Sequence, residues 1–131
     1  MIVLDTSGIL ALEDRNDAHH ERALGAIRAT GPLLLPAGIL AEVDYMVTRR
    51  IDPAAMGLVL ESIEEGSIVL DCGDLDLARV RDLIERYADL PLGFADAAVV
   101  ACAERVGGNV LTFDRGDFDA VAGEGTFRIV P

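Results

Sequence analysis

Several carboxylates lie at positions where the sequence offers no simple surface role. Asp5 ends the apolar run "IVL", and Asp96 is the only charged residue in "FADAAVVACA". Asp114 and Asp117 follow the apolar segment "NVLTF". Taken singly, Asp5 is a good helix cap and an Asp after a strand suits a turn. A buried carboxylate without a partner is unfavourable, so Asp96 either caps its helix or meets a cation.

A further acid lies on the helical segment "AGILAEVDYMVTRR". On a helical wheel, Glu42 and Asp44 flank the apolar stripe, one on each side. The stripe consists of Ile39, Leu40, Val43, Met46 and Val47. The wheel does not choose between the two acids, and a solvated flank would explain either one alone.

Together these acids suggest a metal site. Three or four carboxylates that converge cannot all stay ionised without cations. Oxygen ligands select hard divalent ions, Mg²⁺ or Mn²⁺. Metal-spaced Cys and His residues are absent from the sequence. The pattern therefore points to metal-assisted hydrolysis of a phosphodiester.

The elements that would position these acids alternate between strand and helix. Short apolar strands are predicted at residues 2–5, 33–36, 67–71, 109–112 and 126–130. Helices are predicted at residues 6–13, 17–28, 38–50, 53–65, 74–90 and 94–106. Thr6 or Ser7 is expected to cap the first helix, Asp17 the second and Asp52 the fourth. The segment "TGP" should end the second helix, and residues 113–125 read as a loop with one helical turn at most.

This alternation predicts a single α/β domain over residues 1–131. Its strands are apolar without a polar alternation, which is typical of a short, mainly parallel central sheet flanked by helices on both faces. In such folds, ligands bind at the carboxyl ends of the strands, near a topological switch point. Asp5 and Asp114 would lie on this rim.

Composition excludes several other chemistries. The net charge is −12, from 23 acids and 11 bases, and every base is arginine. Without lysine, a P-loop and Schiff-base catalysis are excluded. So acidic a chain is a poor nucleic-acid binder, unless bound divalent ions reverse the local field. No apolar run is long enough for a membrane span and no signal peptide is evident, so a cytoplasmic location is expected.

Four segments resemble one known family. They are "IVLDTSGIL", "LAEVDYMV", "LGFADAAVVACAERVG" and "NVLTFDRGDF", in that order along nearly the whole chain. The sequence resembles the PIN-domain ribonucleases, especially the VapC-type toxins of bacterial and archaeal toxin–antitoxin pairs. The resemblance implies that Asp5, Glu42 rather than Asp44, and Asp96 are the first three site acids. Asp114 is the closer match to the fourth.

The resemblance leaves open whether Asp117 also contributes to the fourth position. It places Thr6 and Thr112 beside the site, as hydroxyls that support a carboxylate or a water. It further implies Mg²⁺ or Mn²⁺ as cofactor, tRNA or ribosomal RNA as substrate, a homodimer, and a VapB-type antitoxin as partner. Arginine suits phosphate contact, and the arginines considered for RNA are Arg15 and Arg22 beside the first loop, Arg49-Arg50 at the end of the third helix, and Arg115. Arg15 and Arg115 are the chosen candidates.

Two other functions compete with a nuclease. A PIN-like binding module could act mainly through its antitoxin at a promoter, with little nuclease activity. A phosphatase of the haloacid-dehalogenase type or a response-regulator receiver also has an Asp after the first strand. Both normally need a lysine, which this chain lacks. Among the other polar residues, His19 and His20 are read as exposed, and Asp76 as part of a solvated helix face.

Overall fold

A five-stranded sheet forms the centre of the computed structural model, which describes residues 1–28 and 31–131. All strand pairs are parallel, in the order β3-β2-β1-β4-β5. The strands are β1 (Ile2–Leu4), β2 (Leu33–Pro36), β3 (Ile68–Asp71), β4 (Asn109–Leu111) and β5 (Arg128–Val130). The predicted α/β class is confirmed, and the sheet is wholly parallel.

Both faces of the sheet are covered. All three residues of β1 are fully buried, and successive side chains of a strand point to opposite faces. Burial falls towards the edge, where Val69 and Leu70 of β3 are exposed. The central strands therefore read as continuous apolar runs because neither of their faces meets water.

Seven α-helices surround the sheet within the described residues. They are α1 (Thr6–Glu13), α2 (His20–Ile27), α3 (Leu40–Arg50), α4 (Pro53–Glu64), α5 (Leu77–Arg86), α6 (Phe94–Val106) and α7 (Arg115–Ala122). A 3₁₀ turn, Ala37–Ile39, precedes α3. None of these helices is long and apolar enough to cross a membrane.

The strand order creates a switch point between β1 and β4. From β1 the chain continues to β2 on one side, whereas β4 pairs on the other side of β1 and continues to β5. A crevice at the carboxyl ends of such strands is the expected ligand site. Gly8 brings α1 against this point, since a Cβ there would lie 2.4 Å from the carbonyl oxygen of Leu111.

Several predicted boundaries are confirmed. Asp52 caps α4, accepting a 2.7 Å hydrogen bond from the Ala55 N–H, with Pro53 at the first helical position. Gly107 ends α6 in the left-handed conformation, with a φ of 62°. The helix predicted at residues 74–90 is shorter, because it begins at Leu77 and ends at Arg86.

The start of α2 was predicted wrongly. The side chain of Asp17 accepts a 2.7 Å hydrogen bond from the His19 N–H, which forms a turn, and the helix begins only at His20. The predicted stop at Thr30-Gly31-Pro32 lies partly outside the described residues, because Thr30 is not among them.

The segment after Asp114 was also predicted wrongly, as a loop. It forms α7, an eight-residue helix in which Phe118 and Val121 are buried. These two side chains, three positions apart, pack on one face of the helix. Gly116 and the surrounding acids lower the local helix propensity, and burial of the apolar face overrides it.

Candidate active site

A cleft of about 420 Å³ opens at the carboxyl ends of β1 and β4. It is formed by the first turns of α1 and α6, one face of α3, and the segments before α2 and α7. Twelve residues line it: Asp5, Thr6, Ser7, Leu10, Asp17, His19, Glu42, Met46, Arg50, Asp96, Phe113 and Asp114. The structure thus brings four sequence-predicted acids from four separate segments to one cleft.

Asp5 is oriented by two hydroxyl groups. Its side chain makes no helix-capping hydrogen bond, although it occupies the N-cap position of α1. Thr112 donates a 2.8 Å hydrogen bond to Asp5 Oδ2, and Ser7 donates one of 3.0 Å to the same oxygen. Burial raises the pKa of Asp5, these hydrogen bonds oppose the rise, and the charge of Glu42 adds to it.

Thr6 and Ser7, the residues expected to cap α1, form hydrogen bonds with other segments instead. The Thr6 hydroxyl donates a 2.8 Å hydrogen bond to Glu42 Oε2, and the Ser7 hydroxyl accepts one of 2.9 Å from the Phe113 N–H. The prediction that Thr6 or Ser7 caps this helix was therefore wrong. Both hydroxyls instead connect the first turn of α1 to neighbouring segments.

Glu42 and Asp44 differ in position relative to the cleft. Both are exposed, but Glu42 lines the cleft, whereas Asp44 does not and accepts a 3.3 Å hydrogen bond from Thr48. Glu42, Met46 and Arg50 follow one another at intervals of four along α3, so they form one ridge of the helix. That ridge faces the cleft along two turns.

Asp96 lies in the first turn of α6 without capping it. Gly93 occupies the N-cap position, and Asp96 is the third residue of the helix. The pKa of Asp96 is raised to about 6, chiefly by burial and then by the negative charges of Asp5, Asp117, Glu42 and Asp114. Burial and neighbouring negative charges therefore both disfavour the ionised form of Asp96.

Asp114 and Asp117, the two candidates for the fourth acid of the site, differ in placement. Asp114 lies just before α7 and lines the cleft, and its N–H donates a 3.1 Å hydrogen bond to Thr112 Oγ1. Asp117, in the first turn of α7, is half-buried and does not line the cleft. Its charge nevertheless contributes to the raised pKa of Asp96.

Several acids elsewhere in the described residues form ion pairs with arginine. Arg79 binds both oxygens of Glu104, with hydrogen bonds of 2.8 and 2.9 Å. Arg105 binds Asp76 at 2.7 Å, so the expectation of a solvated Asp76 was wrong, since this residue is buried beneath the ion pair.

The cleft acids, by contrast, have no such partner. Within residues 1–28 and 31–131, no arginine forms an ion pair with Asp5, Glu42, Asp96 or Asp114. Their mutual repulsion is left for a cation to relieve.

The donor set suits a hard divalent ion. The acids supply only oxygen, and burial together with the neighbouring carboxylates raises the pKa of Asp96. Among the described residues, no three His, Cys, Asp or Glu side chains are already arranged around one point. The oxygen donors of the cleft nevertheless fit the chemistry of Mg²⁺ or Mn²⁺.

The two arginines chosen from the sequence lie outside the cleft. Arg15 is exposed in the turn before α2, and Arg115 pairs with Asp119 at 3.3 Å. Arg50, which was considered but not chosen, is the one arginine that lines the cleft among the described residues. Its spacing of four from Met46 and eight from Glu42 was the signal that could have favoured it.

Sequence reasoning also missed an aromatic part of the cleft. His19 and Phe113 both line it, with their rings stacked. His20 is half-buried and its Nδ1–H donates a 2.7 Å hydrogen bond to the Ala11 carbonyl oxygen. The prediction that both histidines are exposed was therefore wrong. Proximity of His19 to Phe113 arises only from the fold, because the two residues are far apart in sequence.

The comparison with known proteins now decides the family. The PIN-domain profile matches residues 2–124. The chain belongs to the PIN-domain family. It is 31% identical over 135 aligned positions to ribonuclease VapC26 of Mycobacterium tuberculosis, across 99% of this chain and 100% of the relative. The resemblance predicted from four short segments is thus confirmed at the level of the family.

Two solved structures share the architecture. The crystal structure of Mycobacterium tuberculosis VapC20, described as a toxin that cleaves the sarcin–ricin loop, superposes with a TM-score of 0.76 at 25% identity. The match covers 92% of this chain and 95% of that one. FitAcB from Neisseria gonorrhoeae matches with a TM-score of 0.64 at 20% identity, over 100% and 97% of the two chains. The latter likeness shows the fold alone.

Proposed function

We propose that this PIN domain is a metal-dependent endoribonuclease, the toxin of a type II toxin–antitoxin pair that acts in the cytoplasm. It hydrolyses phosphodiester bonds in RNA, in tRNA or ribosomal RNA, and thereby arrests translation. The observation that carries the proposal is the cleft of four acids, none of which pairs with an arginine in the part of the chain that the structure describes. The chain is also 31% identical to a ribonuclease over nearly its full length.

Asp5, Glu42, Asp96 and Asp114 are proposed to hold one or two Mg²⁺ or Mn²⁺ ions. Asp117 is proposed to enter this set only if its side chain rotates towards Asp96. The bound ion supplies Lewis-acid activation of the phosphate and lowers the pKa of a water molecule. Because four oxygen-donating segments surround the cleft, the ion and its water would be held at the carboxyl rim of the sheet.

The protein's own groups orient these ligands. Thr112 and Ser7 hold one oxygen of Asp5, and Thr6 holds one oxygen of Glu42. Such contacts fix the direction of a carboxylate before an ion arrives. Arg50, on the ridge that carries Glu42, is placed to contact a phosphate next to the one that is cleaved, since a guanidinium suits phosphate oxygens.

The partners follow from the same family membership. VapC20 is described as cleaving the sarcin–ricin loop, which favours ribosomal RNA among the two substrate classes for this chain. A VapB-type antitoxin is proposed to cover the cleft, and two copies of the chain are proposed to form a homodimer. The competing reading, a binding module with little nuclease activity, has no structural observation in its favour, because all four acids are present around the cleft.

Induced expression in a bacterial host tests this function. The wild-type chain should arrest growth and produce new RNA ends at one or a few sites, which sequencing of total RNA ends would locate. Asp96→Asn should remove both the growth arrest and the new RNA ends while the protein remains soluble. Asp89→Asn, at an exposed position, is the matched control and should retain both effects. Growth arrest that persists unchanged in Asp96→Asn, with the same RNA ends, would contradict the assignment.

A further inference from the structure

The cleft contains a preformed pair of parallel rings. The imidazole of His19 and the phenyl ring of Phe113 have centroids 4.4 Å apart and planes inclined by 6°. The guanidinium of Arg22 lies 5.7 Å from the centroid of the Phe113 ring. Both rings line the same cleft as Asp5 and Asp96, so a group stacked on this pair would lie beside the acids.

The backbone on each side of the pair is fixed. The Phe113 N–H donates a 2.9 Å hydrogen bond to Ser7 Oγ, and the His19 N–H donates one of 2.7 Å to Asp17 Oδ1. Within the described residues, no protein group forms a hydrogen bond with the His19 ring. The polar edge of the His19 ring is therefore available to a ligand.

The negative charge of the chain indicates what the His19–Phe113 ring pair could contribute to RNA binding. RNA binding to most proteins is driven by contacts between cations and phosphates. Here the chain has a net charge of −12, and Arg50 is the one arginine among the described residues that line the cleft. Stacking between a base and an aromatic ring does not depend on net charge, because every base has a π-face. An acidic nuclease therefore gains most from this kind of contact.

We infer that the His19–Phe113 pair is a nucleobase-stacking site that holds an unpaired base of the substrate next to the cleaved phosphate. The inference rests on the proposed function and adds two positioning residues to it. Proteins read unpaired RNA bases by stacking them on aromatic, histidine and arginine planes. The geometry thus favours substrates cut within a single-stranded loop over those cut within a duplex.

Fluorescence of 2-aminopurine tests the inference directly. This base analogue is quenched when it stacks, and the chain contains no tryptophan to interfere. Short single-stranded oligoribonucleotides would carry the analogue at successive positions. The protein would carry Asp96→Asn, which stops hydrolysis and removes one negative charge from the cleft. His19→Ala removes one ring, and His19→Phe keeps a flat ring at the same position.

A second aromatic–arginine pair provides a matched control. Arg49 lies 5.8 Å from the ring centroid of Tyr45 on the exposed surface of α3, away from the cleft lining. We expect His19→Ala to abolish the quench at one position and to weaken binding about 5- to 150-fold, the usual range for one stacked base. His19→Phe and Tyr45→Ala should retain both the quench and the affinity. The slope of log Kd against log salt should not change in His19→Ala, because no phosphate contact is lost.

Other results would overturn the inference. Unchanged quench and affinity in His19→Ala would do so, and so would a His19→Phe variant as defective as His19→Ala. Weaker binding of the VapB-type antitoxin by His19→Ala, with RNA binding unchanged, would assign the pair to the protein partner instead. If the wild-type chain cleaved no RNA in Mn²⁺ but showed the His19-dependent quench, the stacking site would stand and the nuclease assignment would fail.

Discussion

The hydroxyl of Thr112 donates a 2.8 Å hydrogen bond to Asp5 Oδ2, across the two strands that flank the switch point. The register of the sheet dictates this contact, since Leu4 pairs with Leu111 and the next residues of both strands are Asp5 and Thr112. Both residues are more than nine-tenths buried. The sheet itself therefore orients the first acid of the cleft.

Removing that hydroxyl should impair the site without disrupting the fold. Thr112→Val preserves shape but leaves Asp5 Oδ2 with one donor fewer and the Asp114 N–H without its acceptor. We expect RNA cleavage to fall about 10- to 100-fold, the usual effect of losing a group that orients a metal ligand. Thr48→Val, at an exposed threonine of α3, is the matched control. Equal initial rates for the two variants would show that the hydroxyl has no role in catalysis.

The two acids on α3 should differ sharply. Glu42→Gln keeps the size of the side chain and removes its charge from the cleft, whereas Asp44→Asn changes an exposed residue of the same helix. We expect Glu42→Gln to lower both Mn²⁺ affinity and RNA cleavage at least about 10-fold, and Asp44→Asn to change neither. Isothermal titration with Mn²⁺ measures the affinity. A larger loss in Asp44→Asn would contradict the placement of the third helix.

The roles of Asp114 and Asp117 can be distinguished by the same kind of substitution. Because Asp114 lines the cleft and Asp117 does not, Asp114→Asn should remove more Mn²⁺ affinity than Asp117→Asn. Asp117→Asn should instead lower the pKa of Asp96, since its charge is one cause of the rise. Carboxyl titration by NMR, followed at Asp96 in each metal-free variant, measures this effect. Equal losses of affinity would indicate that both acids contact the metal.

Stability should depend on pH through Asp96. Its pKa is raised from 3.8 to about 6 in the folded protein, so the folded state binds this proton more tightly than the unfolded state does. The free energy of unfolding therefore falls as the pH rises from about 4 to above 6. In EDTA near neutral pH, Asp96→Asn should raise the free energy of unfolding by about 1–2 kcal/mol relative to the wild type. Near pH 4 this difference between the two proteins should vanish.

Bound Mn²⁺ should make the wild-type protein more stable than Asp96→Asn, which is the reverse of the order expected in EDTA. Mn²⁺ at about 100 times its Kd adds roughly 2.7 kcal/mol to a protein that binds it only when folded. The wild-type Tm should therefore rise on addition of Mn²⁺, and that of Asp96→Asn should rise much less. Thermal denaturation with and without metal provides the comparison. A wild-type protein that is already more stable than Asp96→Asn in EDTA would show that the carboxylate is not under electrostatic strain.

Much of the fold follows from local sequence. The short apolar runs "IVL" and "NVL" predict buried strands, and parallel pairing then places Asp5 and Thr112 on one rim. The cap of α4 by Asp52 is equally local. Such features are predictable because a few neighbouring residues determine them.

Other features depend on contacts between distant segments. The buried ion pair of Asp76 with Arg105 joins residues 29 positions apart, and no local pattern marks it. The helix α7 forms because Phe118 and Val121 find a core to bury them, despite low intrinsic propensity. Predicting the raised pKa of Asp96 likewise requires knowing how far this residue is buried and which four acids lie near it.

The central claim is that the acids of this cleft hold a metal that hydrolyses RNA. Purified protein, incubated with RNA from a bacterial ribosome, tests it most directly when the ends of the products are identified. We predict cleavage in Mn²⁺ that EDTA prevents and that Asp5→Asn and Asp96→Asn abolish, leaving 3′-hydroxyl and 5′-phosphate ends, because water is the nucleophile. Cleavage that continues in EDTA, survives both substitutions or leaves 2′,3′-cyclic phosphate ends would contradict the account.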